Sequence, residues 1–257
     1  MIPKRVTTHF QRYEIKYWLT EERYFDVRDE IQRYMELDPY CHDRPHHAYP
    51  IWSLYLDTFD FATFEERLDG LIFRQKYRLR TYGADKPFED ALTDPLFVEI
   101  KKKQNKVILK DRSLIKVREA LDLLDHASGN PFMQTLPLAQ KKTMERFVFF
   151  QNHLSLGPQI AVKYEREAYF GENDRNVRVT FDRNLCAKES RALAEMYTET
   201  KNWFHHRNPQ IIFEIKVYDA MPQWLVNILR RFQLRSEPIS KYCESVEMVF
   251  PRFSLSQ

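Results

Sequence analysis

Apolar and polar positions alternate with a period of two in eight stretches of the chain, near 10–18, 50–57, 71–82, 96–104, 106–115, 159–170, 176–184 and 210–218. That period sends successive side chains to opposite faces of a β-strand, and the β-branched and aromatic content of the stretches agrees with it. Elsewhere the period lengthens to that of a helix. Thr20 stands where it can cap a helix over 21–35, and Met144, Phe147, Val148 and Gln151 fall at i, i+3, i+4 and i+7 within 138–154. Leu225, Ile228, Leu229 and Phe232 keep helical spacing behind Pro222, and a last helix is expected after Ser240. The segment 190–209 reads as an excursion or lid. These elements predict an α+β fold: one domain over 1–257, built as a closed eight-stranded antiparallel β-barrel with helices packed on its outside.

One face of the predicted strands is charged. Arg12, Glu14 and Lys16 share a face, as do Arg74, Lys76, Arg78 and Arg80; so do Glu99, Lys101 and Lys103. Lys110 goes with Arg112, Arg178 with Asp182, and Glu214 with Lys216. The opposite faces are apolar, with Ile15 and Tyr17, Tyr77 and Leu79, Val98 and Ile100, Phe213 and Ile215. Two arrangements satisfy this pattern. The charged faces can meet water around an apolar core, as in many antiparallel sheets. Alternatively, the apolar faces pack outward on the helices and the charged faces line a bore. The helices favour the bore, since each needs an apolar partner and the sheet offers one apolar face. Crowded cations then require counter-charge. Phosphates supply it best, because Arg forks grip two oxygens and Lys acts as a point charge. Carboxylates among those cations would suit Mg²⁺ or Mn²⁺.

Composition narrows the class further. A chain of 257 residues that is 43% hydrophobic and 30% charged is globular rather than disordered. Its 19 Phe and 14 Tyr against 5 Gly suit a large β-rich core and disfavour a glycine-loop nucleotide fold. A net charge of +3 predicts no nucleic-acid partner, and cations alternating along strands do not form the open, aromatic-flanked stripe such binding needs. Cys41, Cys186 and Cys243 are odd in number and lack CxxC spacing, so reduced thiols are expected. There is no signal-peptide h-region, and no apolar run reaches the ~18 residues of a membrane span. A cytoplasmic protein follows, with peripheral membrane association only through a partner. Cys41, His42, His46 and His47 match no standard zinc spacing. His205 and His206 read as a solvated pair, Lys102 as facing away from Lys101 and Lys103, and Tyr77 and Tyr82 as packing rather than base-stacking platforms.

Several short stretches then stand in a telling order: R-Y-E-I-K-Y (12–17), S-L-Y-L-D-T (53–58), F-R-Q-K-Y-R-L-R-T-Y (73–82), F-V-E-I-K-K-K (97–103), Y-E-R-E-A-Y (164–169), V-R-V-T-F-D (177–182), F-E-I-K (213–216) and S-K-Y (240–242). In these the chain resembles the VTC domain, the polyphosphate polymerase domain of the vacuolar transporter chaperone complex. That domain belongs to the triphosphate tunnel metalloenzymes, alongside the CYTH-like proteins. The resemblance implies a tunnel open at both ends, in which the γ-phosphate of ATP passes to a growing polyphosphate and ADP leaves, with Mn²⁺ or Mg²⁺ as the metal. It implies that Lys16, Arg78, Arg80, Lys101, Arg166, Arg178 and Lys216 are catalytic phosphate ligands, joined by Lys241 from the last helix, and that Glu214 holds the metal. Glu14, Arg74, Lys76, Glu99, Lys103, Lys110, Arg112 and Asp182 are the further candidates for contact with ATP, polyphosphate or triphosphate. Arg12 stands where the hydrolases and cyclases of the group begin an E-x-E-x-K motif, which favours the polymerase branch. Neither the regulatory domain nor the membrane helices that accompany the eukaryotic domain are expected. A tripolyphosphatase or nucleoside triphosphatase on the same tunnel, and a non-catalytic polyphosphate-binding module, are the alternatives.

Overall fold

The structure is a computed structural model that describes residues 12–82, 85–104, 107–125, 131–171, 176–198, 202–206, 210–218 and 220–253, with Arg12 described by its backbone alone. In chain order the elements are β1 (Arg12–Leu19), α1 (Glu21–Ile31), β2 (Glu36–Leu37), α2 (Pro39–His42), β3 (Tyr49–Asp57), α3 (Ala62–Leu68), β4 (Phe73–Thr81), β5 (Pro95–Gln104), β6 (Val107–Lys116), α4 (Val117–Leu124), α5 (Leu138–His153), β7 (Gly157–Phe170), β8 (Val177–Glu189), α6 (Leu193–Met196), β9 (Phe204–His205), β10 (Ile211–Tyr218), α7 (Gln223–Arg231) and α8 (Lys241–Val249).

The strands form one antiparallel sheet whose main path runs β1-β10-β8-β7-β3-β4-β5-β6, with β2 added to β7 and β9 to β8. The expectation of a closed eight-stranded barrel is corrected in two respects. The sheet has ten strands among the described residues, because β2 and β9 are two residues each and too short to show a period. Among the described residues it is also not closed, since no ladder joins β1 to β6. Alternation fixes the face a side chain takes, but it says nothing about whether the first and last strands come into hydrogen-bonding register. The sheet nevertheless curls far enough for Lys101 Nζ on β5 to lie 2.6 Å from Glu14 Oε2 on β1.

The apolar faces do turn outward. Tyr77, Leu79, Val98 and Ile100 pack against Met144 and Phe147 of α5 and against α4. The polar member of the α5 stripe, Gln151, is buried and donates to the Leu123 carbonyl at 3.1 Å. Phe181, Phe213 and Ile215 pack against Val27 and Ile31 of α1 and Leu225 and Ile228 of α7. Thr20 caps α1 by accepting from the Arg23 N–H at 3.3 Å, and Glu21 and Glu22 suit the positive helix end. Helix α8 lies with the other face, packing Tyr242, Cys243 and Val246 on Ile160, Val162 and Ile212. No helix among the described residues is long and apolar enough to cross a membrane.

The 190–209 excursion contains α6 and β9, while 199–201 and 207–209 lie outside the described residues. Of the two histidines read as a solvated pair, His205 is exposed and His206 half-buried, and each also has a partner. His205 Nδ1 lies 3.1 Å from Cys186 Sγ, and the His206 ring sits 5.3 Å from Trp18.

Candidate functional site: a cationic cavity

The ladder registers decide where the charges meet. Arg80, Arg78, Lys76 and Arg74 on β4 face Phe97, Glu99, Lys101 and Lys103 on β5, and these face Leu114, Arg112, Lys110 and Ile108 on β6. Across the molecule Arg178 on β8 opposes Lys216 on β10, which opposes Glu14 on β1, while Glu214 lies between Thr180 and Lys16. Arg166 on β7 opposes Asp182 on β8. Because period and register keep step, these side chains share the concave face, and they enclose a cavity of about 660 Å³. Its lining includes Lys16, Arg78, Arg80, Lys101, Arg166, Arg178, Lys216 and Lys241, together with Glu14, Arg74, Lys76, Lys103, Lys110, Arg112 and Glu214. Lys102, as expected, faces away; its Nζ pairs with Asp111 at 2.5 Å. Glu99 and Asp182 do not line the cavity but lie buried behind it.

These two carboxylates hold the cations in place. Arg78 Nε donates to Glu99 Oε2 at 2.7 Å, while Lys110 Nζ and Arg112 Nε lie 2.5 and 3.1 Å from Oε1. Arg166 grips Asp182 with both tines, at 2.6 and 2.7 Å, and Lys241 Nζ adds a contact at 2.5 Å. Burial works against both charges. The guanidiniums of Arg78 and Arg80 hold Glu99 well below the usual carboxylate range all the same, and Arg166 and Lys241 bring Asp182 down to about 2.

Counter-charge does not reach every cation equally. Burial pushes Lys16 down to about 7 despite Glu214, and Lys110 to about 7 despite Glu99, with nearby Arg and Lys charges adding to the effect. Burial likewise lowers Lys216 to about 8. Lys241 is held above its ordinary value against burial by Asp182. The cavity is thus short of negative charge, and a phosphate chain would supply it.

Residues that the alternation did not single out complete the wall. The hydroxyls of Tyr55 and Tyr164 accept from Arg78 at 3.0 Å and Arg80 at 3.2 Å. Lys76 Nζ donates to Ser240 Oγ at 2.8 Å, Lys16 Nζ to the Ile239 carbonyl at 2.9 Å, and Arg67 to the Pro238 carbonyl at 2.9 Å. The segment before α8 is therefore strapped across the cavity. Asp57, fully buried at the end of β3, accepts from the N–H groups of Thr63 and Phe64 at 2.9 and 3.2 Å, from the Thr63 hydroxyl at 2.7 Å and from the Tyr242 hydroxyl. It caps α3 and ties down α8 together. The available signal was an Asp-Thr pair between a strand and an apolar-periodic segment.

Tyr77, 1% exposed, is the packing residue its position suggests. Tyr82 is not. It is 38% exposed and lines the cavity, with its ring edge-on to Phe97 at 5.7 Å and 6.0 Å from Tyr49. Arg112 donates to its hydroxyl at 3.1 Å and lays its guanidinium 3.3 Å over the Phe97 ring.

The carboxylates do not form a metal cage of their own, and among the described residues no three His, Cys, Asp or Glu side chains converge. Glu99 and Asp182 are saturated with cations. Glu214 is different. It reaches the cavity, with Lys216 Nζ 2.7 Å from Oε1 and Lys16 and Lys241 each 3.9 Å from Oε2, and those charges keep it well below the usual range against burial. One such carboxylate fits a Mg²⁺ or Mn²⁺ ion that brings phosphate oxygens as its other ligands.

The VTC domain profile matches residues 11–250. The chain belongs to the VTC domain family. No curated protein matches it at a significant level. Among solved structures, this VTC domain is similar to a Bacillus halodurans protein provisionally assigned as an adenylate cyclase, with 13% identity, 90% of this chain and 94% of that chain covered, and a TM-score of 0.50. It is also similar to a Hippeastrum protein provisionally assigned as an adenylyl cyclase and described as having a dominant triphosphatase activity, with 9% identity, coverage of 91% and 93%, and a TM-score of 0.49. The PH1819 protein of Pyrococcus horikoshii follows at 13% identity, coverage of 91% and 96%, and a TM-score of 0.42. The first of these likenesses is one of fold.

Proposed function

We propose that this VTC domain is a divalent-metal-dependent polyphosphate polymerase, acting in the cytoplasm as one unit. The observation that carries the reading is the cation-lined cavity with Glu214 in its wall. It works as a tunnel with a mouth at each end of the strands. Phosphoryl transfer needs positioning and charge neutralisation more than covalent help. Arg78, Arg80, Lys101, Arg166 and Arg178 bind consecutive phosphates, with the Arg78 fork pre-set by Glu99, that of Arg166 by Asp182 and that of Arg178 by Asp38. A terminal polyphosphate oxygen attacks the γ-phosphorus of ATP, the bond from that phosphorus to the β-bridging oxygen breaks, and ADP leaves with the electron pair. Lys16, Lys216 and Lys241 surround Glu214 and stabilise charge on the transferring oxygens. A divalent ion held by Glu214 and phosphate oxygens supplies Lewis-acid neutralisation when bound.

Incubating the purified protein with ATP, Mn²⁺ and a short polyphosphate primer tests this. Polymer growth with matching ADP is expected. Orthophosphate without polymer would replace the reading with a tripolyphosphatase, and tight binding with neither product would replace it with a binding module.

A further inference from the structure

The phosphate chemistry leaves one buried nucleophile unused. Cys243 is fully buried in the first turn of α8, beside the wall residues Ser240, Lys241 and Tyr242. Lys76 of β4 reaches it from the cavity, which it lines. The Lys76 Nζ lies 2.9 Å from Cys243 Sγ, 2.8 Å from Ser240 Oγ and 4.7 Å above the Tyr242 ring. Sulfur is larger than oxygen, yet this separation is that of an N–H···O bond. The Cys243 N–H donates to Ser240 Oγ at 3.4 Å, which fixes the backbone of the thiol beside the lysine. The other two thiols have different partners. Cys41 Sγ donates to the Arg166 carbonyl at 3.9 Å, and Cys186 Sγ lies 3.1 Å from His205 Nδ1.

We propose that Lys76 and Cys243 form an oxidation site, at which hydrogen peroxide joins Nζ to Sγ in a covalent sulfenamide bond and ties β4 to α8 beside the cavity. The bond itself stands on the geometry, while its effect on ligand binding rests on the phosphate-tunnel reading above. An amine and a sulfur held in contact react with the advantage of an intramolecular step. Peroxide is small and uncharged, so it can arrive through the cavity that Lys76 lines. The thiolate is the attacking form. Its sulfur bonds to one peroxide oxygen, the O–O bond breaks, and the leaving hydroxide takes a proton from the Lys76 ammonium to become water. A sulfenic acid then lies against a neutral amine. The Nζ lone pair attacks sulfur, the S–O bond breaks, and hydroxide leaves with the proton shed by nitrogen. One thiol, one amine and one peroxide thus become one S–N bond and two waters, with sulfur oxidised and peroxide reduced by two electrons. Nitrogen bonded to sulfur carries no ammonium charge, so the cavity loses a cation where the strap before α8 meets β4.

Peptide mapping of the full chain decides whether the bond forms. The protein is treated with hydrogen peroxide, its free thiols are blocked in denaturant without reductant, and it is digested with trypsin. The expected product is peptide 75–78, uncut after Lys76, joined to peptide 242–252 at their summed mass less two hydrogens, allowing for oxygen on Met248. Dithiothreitol should separate the two. Tripolyphosphate affinity, read by calorimetry, should fall about tenfold on oxidation, the scale of one lost charge-assisted contact, and return with dithiothreitol. Cys243→Ser should bind like the untreated wild type and stay unchanged in peroxide, whereas Cys41→Ser combined with Cys186→Ser should respond as the wild type does. An uncoupled Cys243 bearing added oxygens, a disulfide at Cys243, or an untouched Cys243 would each overturn the cross-link. A linked peptide with unchanged affinity would overturn its hold on the cavity. Untreated protein that fails to bind tripolyphosphate overturns the tunnel reading instead, and the peptide map still rules on the bond.

Discussion

Glu214 and Asp182 carry like charges among like cations, yet their surroundings give them opposite tasks. Asp182 is fully engaged by Arg166 and Lys241, whereas Glu214 faces the cavity. Asp182→Ala should leave two buried cations unbalanced and cost about 3–5 kcal/mol of stability, read from urea unfolding. Glu214→Gln should behave otherwise. It removes a negative charge from a phosphate site, so tripolyphosphate affinity should hold or rise, while Mn²⁺ uptake in the presence of tripolyphosphate and turnover both fall. Electron paramagnetic resonance of the bound Mn²⁺ checks the uptake, and normal turnover in this variant would remove Glu214 from the metal role. The division between the two carboxylates was not legible in the sequence. Alternation placed Asp182 with Arg178, but its partners Arg166 and Lys241 come from β7 and α8, and no local spacing reports such contacts.

At the scale of elements, the alternation predicted the eight long strands closely, and four of the helices, because each buries one clean face. It missed α3 and α4, whose short amphipathic runs are brief enough to be taken for loops. Missing α3 also hid the role of Asp57, which joins the end of β3, the start of α3 and Tyr242 of α8. Through that joint the strap before α8 keeps Ser240 beside Lys76 and delivers Lys241 to the cavity. Tyr242→Phe should cost about 1–2 kcal/mol by leaving a buried carboxylate one donor short, and thermal melting measures it. It should also raise the KM for ATP by loosening Lys241, an effect that a distant packing defect of equal cost would not produce.

Over the whole molecule the concave face holds more cation than its buried carboxylates balance, and this ties pH to two properties of opposite sign. Lys16 and Lys110, lowered to about 7, and Lys216, lowered to about 8, bind fewer protons folded than unfolded above those values. Stability of the ligand-free protein should therefore rise from about pH 7 toward the ordinary lysine range, because there the unfolded chain holds the extra protons. Phosphate binding needs those ammonium groups charged, so tripolyphosphate affinity should fall over the same interval and binding near pH 8 should take up protons. Calorimetry in buffers of different ionisation enthalpy measures that uptake, and Lys110→Met should reduce it. The missing ladder between β1 and β6 adds a mechanical corollary. Where a sealed barrel is welded by backbone bonds, this one is a cuff, and Lys101 and Glu14 form a clasp across its slit at 2.6 Å. Clasps of charge loosen in salt as ladders do not, so amides along the slit should exchange with deuterium faster as ionic strength rises, while those between β7 and β8 hold their pace.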